Sequence, residues 1–174
     1  MRILALDPAQ RTGFAFSTTK DQVEASGVWL LAARGEDPGG QLQRLDDALC
    51  AAIAKYRPEV IAYELAGHGS HNMRAKAAHN EKCGVVALVA KRHGIPAWGY
   101  QPNVWKARAI ANGRAKKDEV MRRLRMFFGI EVGSEDEADA AGVLLAAQSG
   151  PPEESKRKQA SRARKAIKKL PRLF

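Results

Sequence analysis

Four carboxylates stand where a folded chain can bring them together. Asp7 closes the apolar run Ile3-Leu4-Ala5-Leu6, and Glu64 closes Val60-Ile61-Ala62-Tyr63. In open α/β sheets, side chains at the carboxyl ends of strands collect around the active crevice. One acid there is an ordinary turn former or helix cap; two at neighbouring strand ends point to chemistry. Asp136 and Asp139 are spaced i, i+3 near the start of an apolar helical stretch, so they face the same way. Acids in a first helical turn complement the dipole, and Ser134, Glu135 and Glu137 suffice for that. Asp139 lies a turn further in, beside Ala140, Val143 and Leu144. An ionised carboxylate there is costly unless a cation answers it.

Convergent carboxylates of this kind suit Mg2+, with Mn2+ able to substitute, because hard cations take oxygen ligands and keep several waters. Two such ions about 4 Å apart activate a water and stabilise the leaving oxygen of a phosphodiester. In that scheme Asp7 bridges the ions, while Glu64, Asp136 and Asp139 hold them from either side. No protein nucleophile is needed.

The elements that must position these acids follow from periodicity. Arg2–Leu6, Gly13–Ser17 and Val23–Leu31 read as strands of an antiparallel meander. Gly39-Gly40 precedes the helical series Leu42, Leu45, Leu49, Ile53 and Tyr56, closed by Pro58. Val60–Tyr63 is a short strand, and Leu65–His71, with Gly67 and Gly69, is a loop. A helix runs from about Asn72 to His93 and ends at Gly94. Ile95–Tyr100 is a fifth strand. Val120, Leu124 and Phe127-Phe128 stripe another helix, closed by Gly129, and a last one runs from near Ser134 to Gly150. The order β-β-β-α-β-α-β-α-α predicts an α/β fold with a mixed five-stranded sheet flanked by helices. A right-handed crossover sets the Asp7 and Glu64 strands side by side and parallel. Trp98, Tyr100 and Trp105 are expected to pack in the core in preference to forming a base-stacking platform.

Charge bounds the partners. The 174 residues carry a formal net charge of +10, which favours polyanions, nucleic acid first. From Pro151 to the end there are nine Lys/Arg and two Glu, so residues 1–150 keep only +3. Pro151-Pro152 therefore divides a core domain, 1–150, from a basic tail, 151–174. The tail reads either as a basic helix laid on a phosphate backbone or as a solvated extension. Cys50 and Cys83 form no CxxC pair, so neither zinc site nor disulfide is expected; they read as small hydrophobes in a reducing compartment. The opening apolar run is too short for a signal peptide and no stretch approaches a membrane span, so a cytoplasmic protein without membrane contact is expected.

The residues that carry this reading resemble the RuvC family of Holliday-junction-resolving endonucleases, in the ribonuclease-H-like superfamily. The matching pieces are ILALDPAQRTGFAFS, VIAYE ending at Glu64, and DEADAAGVLLAA from Asp136. Between them WGYQPNVWKARAIANGRAKKDEVMRRL resembles the family's stretch bearing two lysines near the site, here Lys106 and Lys117. The resemblance covers about residues 2–148. It implies a ribonuclease-H-like nuclease domain and a homodimer that nicks symmetric strands of four-way or related branched DNA. It also implies that Lys117 touches the scissile phosphate or developing charge, and that Lys106, with neighbouring Arg114 and Lys116, binds the backbone. Two features depart from the family pattern. Ala9 replaces a typical glycine in a turn one residue shorter. Leu65–His71 lacks the stacking aromatic, leaving His68 and His71 as candidates for base contact and implying looser junction selectivity. An accessory branch-migration motor leaves no trace in the residues.

Three other readings stay open at this stage. The first is a ribonuclease-H-like nuclease on structured RNA. The second is a non-catalytic nucleic-acid-binding protein, in which Asp7 would be dispensable. An actin-like ATPase, the third, fits poorly, because Asp7-Pro8-Ala9 lacks the glycines that let backbone approach phosphates.

Overall fold

A computed structural model describes residues 1–32, 37–67 and 73–152. Five strands, β1 (Ile3–Asp7), β2 (Arg11–Ser17), β3 (Ala25–Leu30), β4 (Val60–Glu64) and β5 (Ala97–Tyr100), form one sheet in the order β3-β2-β1-β4-β5. β1 to β3 pair antiparallel, as the meander requires, while β4 lies parallel to β1 and β5 parallel to β4. Among the described residues five helices connect and cover them: α1 (Pro38–Tyr56), α2 (Met73–Arg92), α3 (Pro102–Ile110), α4 (Lys117–Phe128) and α5 (Glu135–Gln148). The α/β class and the five-stranded mixed sheet expected from the sequence are what the chain adopts.

The sheet separates two cores. Strand alternation sends Leu4, Leu6 and Ile61 into one with Leu45, Leu49, Val86 and Val89 of α1 and α2. Ile3, Ala5 and Ala62 enter the other, against Ala140, Val143 and Leu144 of α5 and Trp105 of α3. α5 is therefore a buried helix packed flat on β1 and β2, which explains a helix made almost wholly of Ala, Val, Leu and Gly past its first turn.

Element boundaries differ from the sequence expectation in instructive ways. Gly39 and Gly40 do not precede α1; they lie inside its first turn, because Asp37 caps the helix by accepting from the Gly40 N–H and Pro38 takes its first position. Arg57, in the left-handed region, closes α1 before Pro58. β2 starts at Arg11, not Gly13, and β5 starts at Ala97, not Ile95. α3 was not anticipated: it is nine residues long, begins at Pro102, and shows no clean apolar stripe. On α4, Val120 and Leu124 are buried but Phe127 is exposed, so the apolar stripe is narrower than the sequence suggested. The Pro151-Pro152 boundary falls where α5 has ended at Gln148; the basic tail lies outside the described residues.

Candidate active site

The register between β1 and β4 sets the first two acids. Leu6 lies opposite Tyr63, so the next residues along these parallel strands, Asp7 and Glu64, are neighbours at the same sheet edge. Asp7 follows Ile3 and Ala5 on alternate positions, as Glu64 follows Val60 and Ala62, so both point to the α5 side. Asp7 is also on the central strand.

α5 supplies the other two. Ser134 caps it by accepting from the Glu137 N–H at 3.2 Å, and Glu137 accepts from the Gly133 N–H at 2.8 Å, a reciprocal cap that starts the helix beside β2. The approach is tight: a Cβ on Gly13, opposite Asp7 on β2, would stand 1.9 Å from the Asp136 carbonyl oxygen. Glycine at 13 thus lets the start of α5 lie on the sheet and brings Asp136 and Asp139 over Asp7. Asp7 and Asp139 are each 8% exposed.

The electrostatics record this crowding. Burial, then the charges of Glu64, Asp139 and Asp136, push the Asp7 carboxyl well above the usual range, with Lys117 opposing. Burial and the Asp139 charge push Glu64 up to about 7, against Trp105, Lys106 and Lys117. Asp139 is raised by burial, with Lys106 and Lys117 opposing that and Asp136 adding to it. The charges of Glu64, Asp139 and Asp136 thus all act on Asp7, and those of Lys106 and Lys117 act on the acids in the opposite sense.

Each acid also has its own neighbour. The Trp105 indole N–H donates to Glu64 Oε2 at 2.5 Å. Trp105 is fully buried, and its ring occupies the place a side chain on Gly142 would fill, with a Cβ there only 2.2 Å away. Arg11 Nε donates to Asp136 Oδ2 at 3.1 Å. Lys117 reaches Glu135 at 2.8 Å, and that partner raises its pKa. Lys106 donates to the Ala115 carbonyl at 3.1 Å with its ammonium 5.3 Å from the Trp105 ring centre. His79 Nε2 lies 3.2 Å from the Glu64 carbonyl oxygen.

Arg114 and Lys116 are exposed on the turn before α4, close in sequence to Lys117. His68 and His71 lie outside the described residues. Tyr100 and Trp105 are fully buried and Trp98 is partly so, which fits core packing over a stacking platform. Cys83 is buried as expected, whereas Cys50 is only half-buried, against Asp46. Arg11 and His79 are site neighbours that the sequence did not single out, and Trp105, expected only in the core, is also a partner of Glu64. The Trp105–Gly142 pairing joins positions 37 apart and has no local signal.

A divalent cation suits this donor set. Three of the four oxygen-donor carboxylates are raised, by burial first and by neighbouring acids after it. Among the described residues no group of three or more His, Cys, Asp or Glu is yet placed to hold a metal ion, because two of the acids are turned onto other partners. Asp136 is turned onto Arg11 and Glu64 onto Trp105.

A mixed sheet with acids at the ends of its central parallel pair, completed by acids from a helix packed across it, defines a ribonuclease-H-like nuclease fold. A family model described as Crossover junction endodeoxyribonuclease RuvC matches residues 3–147. A protein of that name from Anaeromyxobacter dehalogenans (strain 2CP-C) is 34% identical over 150 residues, covering 83% of this chain and 79% of its own. Another from Myxococcus xanthus (strain DK1622) is 31% identical, covering 84% and 78%. The T. thermophilus RuvC in complex with Holliday junction substrate superposes with a TM-score of 0.74 at 21% identity, over 84% of this chain and 92% of that one. The chain belongs to the RuvC family of crossover junction endodeoxyribonucleases, nucleases that use a divalent metal. No described helix is long and apolar enough to cross a membrane.

Proposed function

We propose that the chain cleaves four-way and related branched DNA with Asp7, Glu64, Asp136 and Asp139 holding Mg2+, or Mn2+ in its place. The observation that carries this is that Asp7 and Glu64 follow the paired Leu6 and Tyr63 on adjacent parallel strands, with the charges of Glu64, Asp139 and Asp136 acting on buried Asp7. When bound, the metal supplies a polarised water and neutralises charge on the phosphodiester. The protein's own groups do the rest. Asp7, on the central strand, is the acid on which the charges of all three others act. Trp105 fixes Glu64 Oε2, so the carboxylate enters the site in one orientation. Lys117 leaves Glu135 for the scissile phosphate and stabilises developing charge. Lys106, Arg114 and Lys116 hold the flanking backbone, and His68 and His71 contact bases near the branch.

A homodimer matches the twofold symmetry of a four-way junction and gives two symmetric cuts. We assign residues 1–150 to the nuclease domain, the basic residues after Pro151 to added phosphate affinity, and the protein to the cytoplasm, where DNA is found. The test incubates the protein with Mg2+ and four-way junctions, flaps and structured RNA. Paired nicks in junctions that vanish in Asp7→Asn support the reading. Cleavage of RNA alone replaces it with an RNA-processing nuclease, and cleavage retained by Asp7→Asn overturns the metal role. Sedimentation of the free protein at dimer mass checks the stoichiometry.

A further inference from the structure

Beside the acids, away from Lys106 and Lys117, lies a hollow of about 510 Å3 floored by Ala9, Ala75 and Ala78 and edged by Arg11, Lys82 and Asp136. A second hollow of about 480 Å3 shares Gln10, Ala75, Ala78 and Lys82 with it and continues along α2 to Arg74, with exposed Glu81 also on its lining. Lys82 is the unusual member. It is 4% exposed, the only cation so enclosed among the described residues. Its ammonium donates to the Ala78 carbonyl at 3.3 Å and forms no ion pair among the described residues. An ammonium has three donors and is rarely buried unless paired, so an anion is the partner this position lacks. The small side chains of the floor leave room for one. Arg11, on the opposite rim, is 60% exposed while bonded to Asp136, so it reaches both the metal ligand and the hollow.

We propose that Lys82 and Arg11 form a phosphate subsite that takes a phosphodiester of the cleaved strand next to the scissile one. This rests on the nuclease reading. The strand is then gripped from both sides of the carboxylates, by Lys82 and Arg11 on one and by Lys106 on the other. Asp136, bonded to Arg11 here, would be one of the residues to hold the metal, and Arg11 freed from it would reach that phosphate.

The experiment measures four-way junction binding by fluorescence anisotropy in EDTA across a salt series, with cleavage in Mg2+ measured separately. Neutralising one phosphate contact removes about 0.9 from the slope of log affinity against log salt. Lys82→Met, which keeps the length and suits the buried stem, is expected to lower that slope by about this step and to weaken binding roughly tenfold. Lys82→Arg is expected to keep the wild-type slope, and Lys55→Met on α1 to change nothing. A Lys82→Met protein with wild-type Tm, affinity and slope overturns the subsite and leaves the nuclease reading standing. Inorganic phosphate raising the Tm of wild type but not of Lys82→Met, with junction slopes equal, also overturns it in favour of a free-anion site. Wild type that neither binds nor cuts junctions overturns both readings.

Discussion

Glu64→Gln separates the electrostatic cost of the site from its chemistry. In the folded chain the Glu64 carboxyl titrates at about 7 against an ordinary 4.5, chiefly because it is buried and faces Asp139. Below about pH 4.5 both folded and unfolded states hold the proton and there is no penalty. Between 4.5 and 7 the folded state holds a proton that the unfolded chain releases, so stability falls as pH rises, and above 7 the penalty is complete. At 1.36 kcal/mol per tenfold change in proton affinity, the full cost is about 3 kcal/mol at pH 8 and below about 1 kcal/mol at pH 5. Glutamine carries no charge and its carbonyl still accepts from the Trp105 N–H. In EDTA, Glu64→Gln is therefore expected to melt about 6–12 °C above wild type at pH 8, with a much smaller gain at pH 5. Mg2+ should raise the wild-type Tm and leave the variant nearly unmoved, and junction cleavage should be lost. Calorimetry at the two pH values decides it. A variant no more stable than wild type at pH 8, or equally stabilised at both, refutes the claim that this acid is held against its own charge.

Other substitutions probe the remaining supports. Asp7→Asn is expected to abolish cleavage while junction affinity holds or rises, because a charge repelling phosphate is gone; gel shift and nicking assays read the two separately. Trp105→Phe removes the N–H that lowers the Glu64 pKa, so the acid limb of the cleavage pH profile should move to higher pH, with roughly tenfold slower cutting at pH 7. Lys117→Met should cut roughly a hundredfold more slowly with junction affinity little changed, as expected of a group acting on developing charge. Gly142→Ala drives a methyl into the Trp105 ring and should cost about 3 kcal/mol by urea unfolding, with Glu64 losing its orientation.

The parts of the fold legible in sequence were those written in local pattern. Abrupt strand ends at Asp7 and Glu64 and the right-handed crossover between their strands together place two acids side by side, and the sheet has them so. Asp139 stood out because a carboxylate interrupts an otherwise apolar helix face, and that face is indeed the one on the sheet. Illegible were contacts joining distant positions without a periodic signal. α3 begins on a proline and buries Trp105, Ala109 and Ile110 through tertiary packing that its sequence does not announce. Gly13 sits mid-strand, where glycine ordinarily signals weakness or a bulge; its reason is a backbone from 123 residues later passing over it.

That close approach ties the fold to the chemistry, and Gly13→Ala tests the tie. The α5 cap holds Asp136 through Ser134 and Glu137, and Glu137 Oε1 also accepts from Ser26 Oγ of β3 at 2.6 Å, so the helix start is pinned to the sheet from two sides. A methyl at 13 cannot be met by a side-chain rotation, because what it strikes is the Asp136 backbone. Either β2 bows or the α5 start lifts, and in both cases Asp136 moves from the other acids while Asp139, a turn further on and buried among Ala138 and Ala140, moves less. The expected result is a folded protein about 2 kcal/mol less stable, with cleavage falling far more than Mg2+-free junction binding. Lost binding in proportion to lost cleavage would mean that Gly13 serves the fold alone and that the distance from Asp136 to Asp7 is not what the glycine protects.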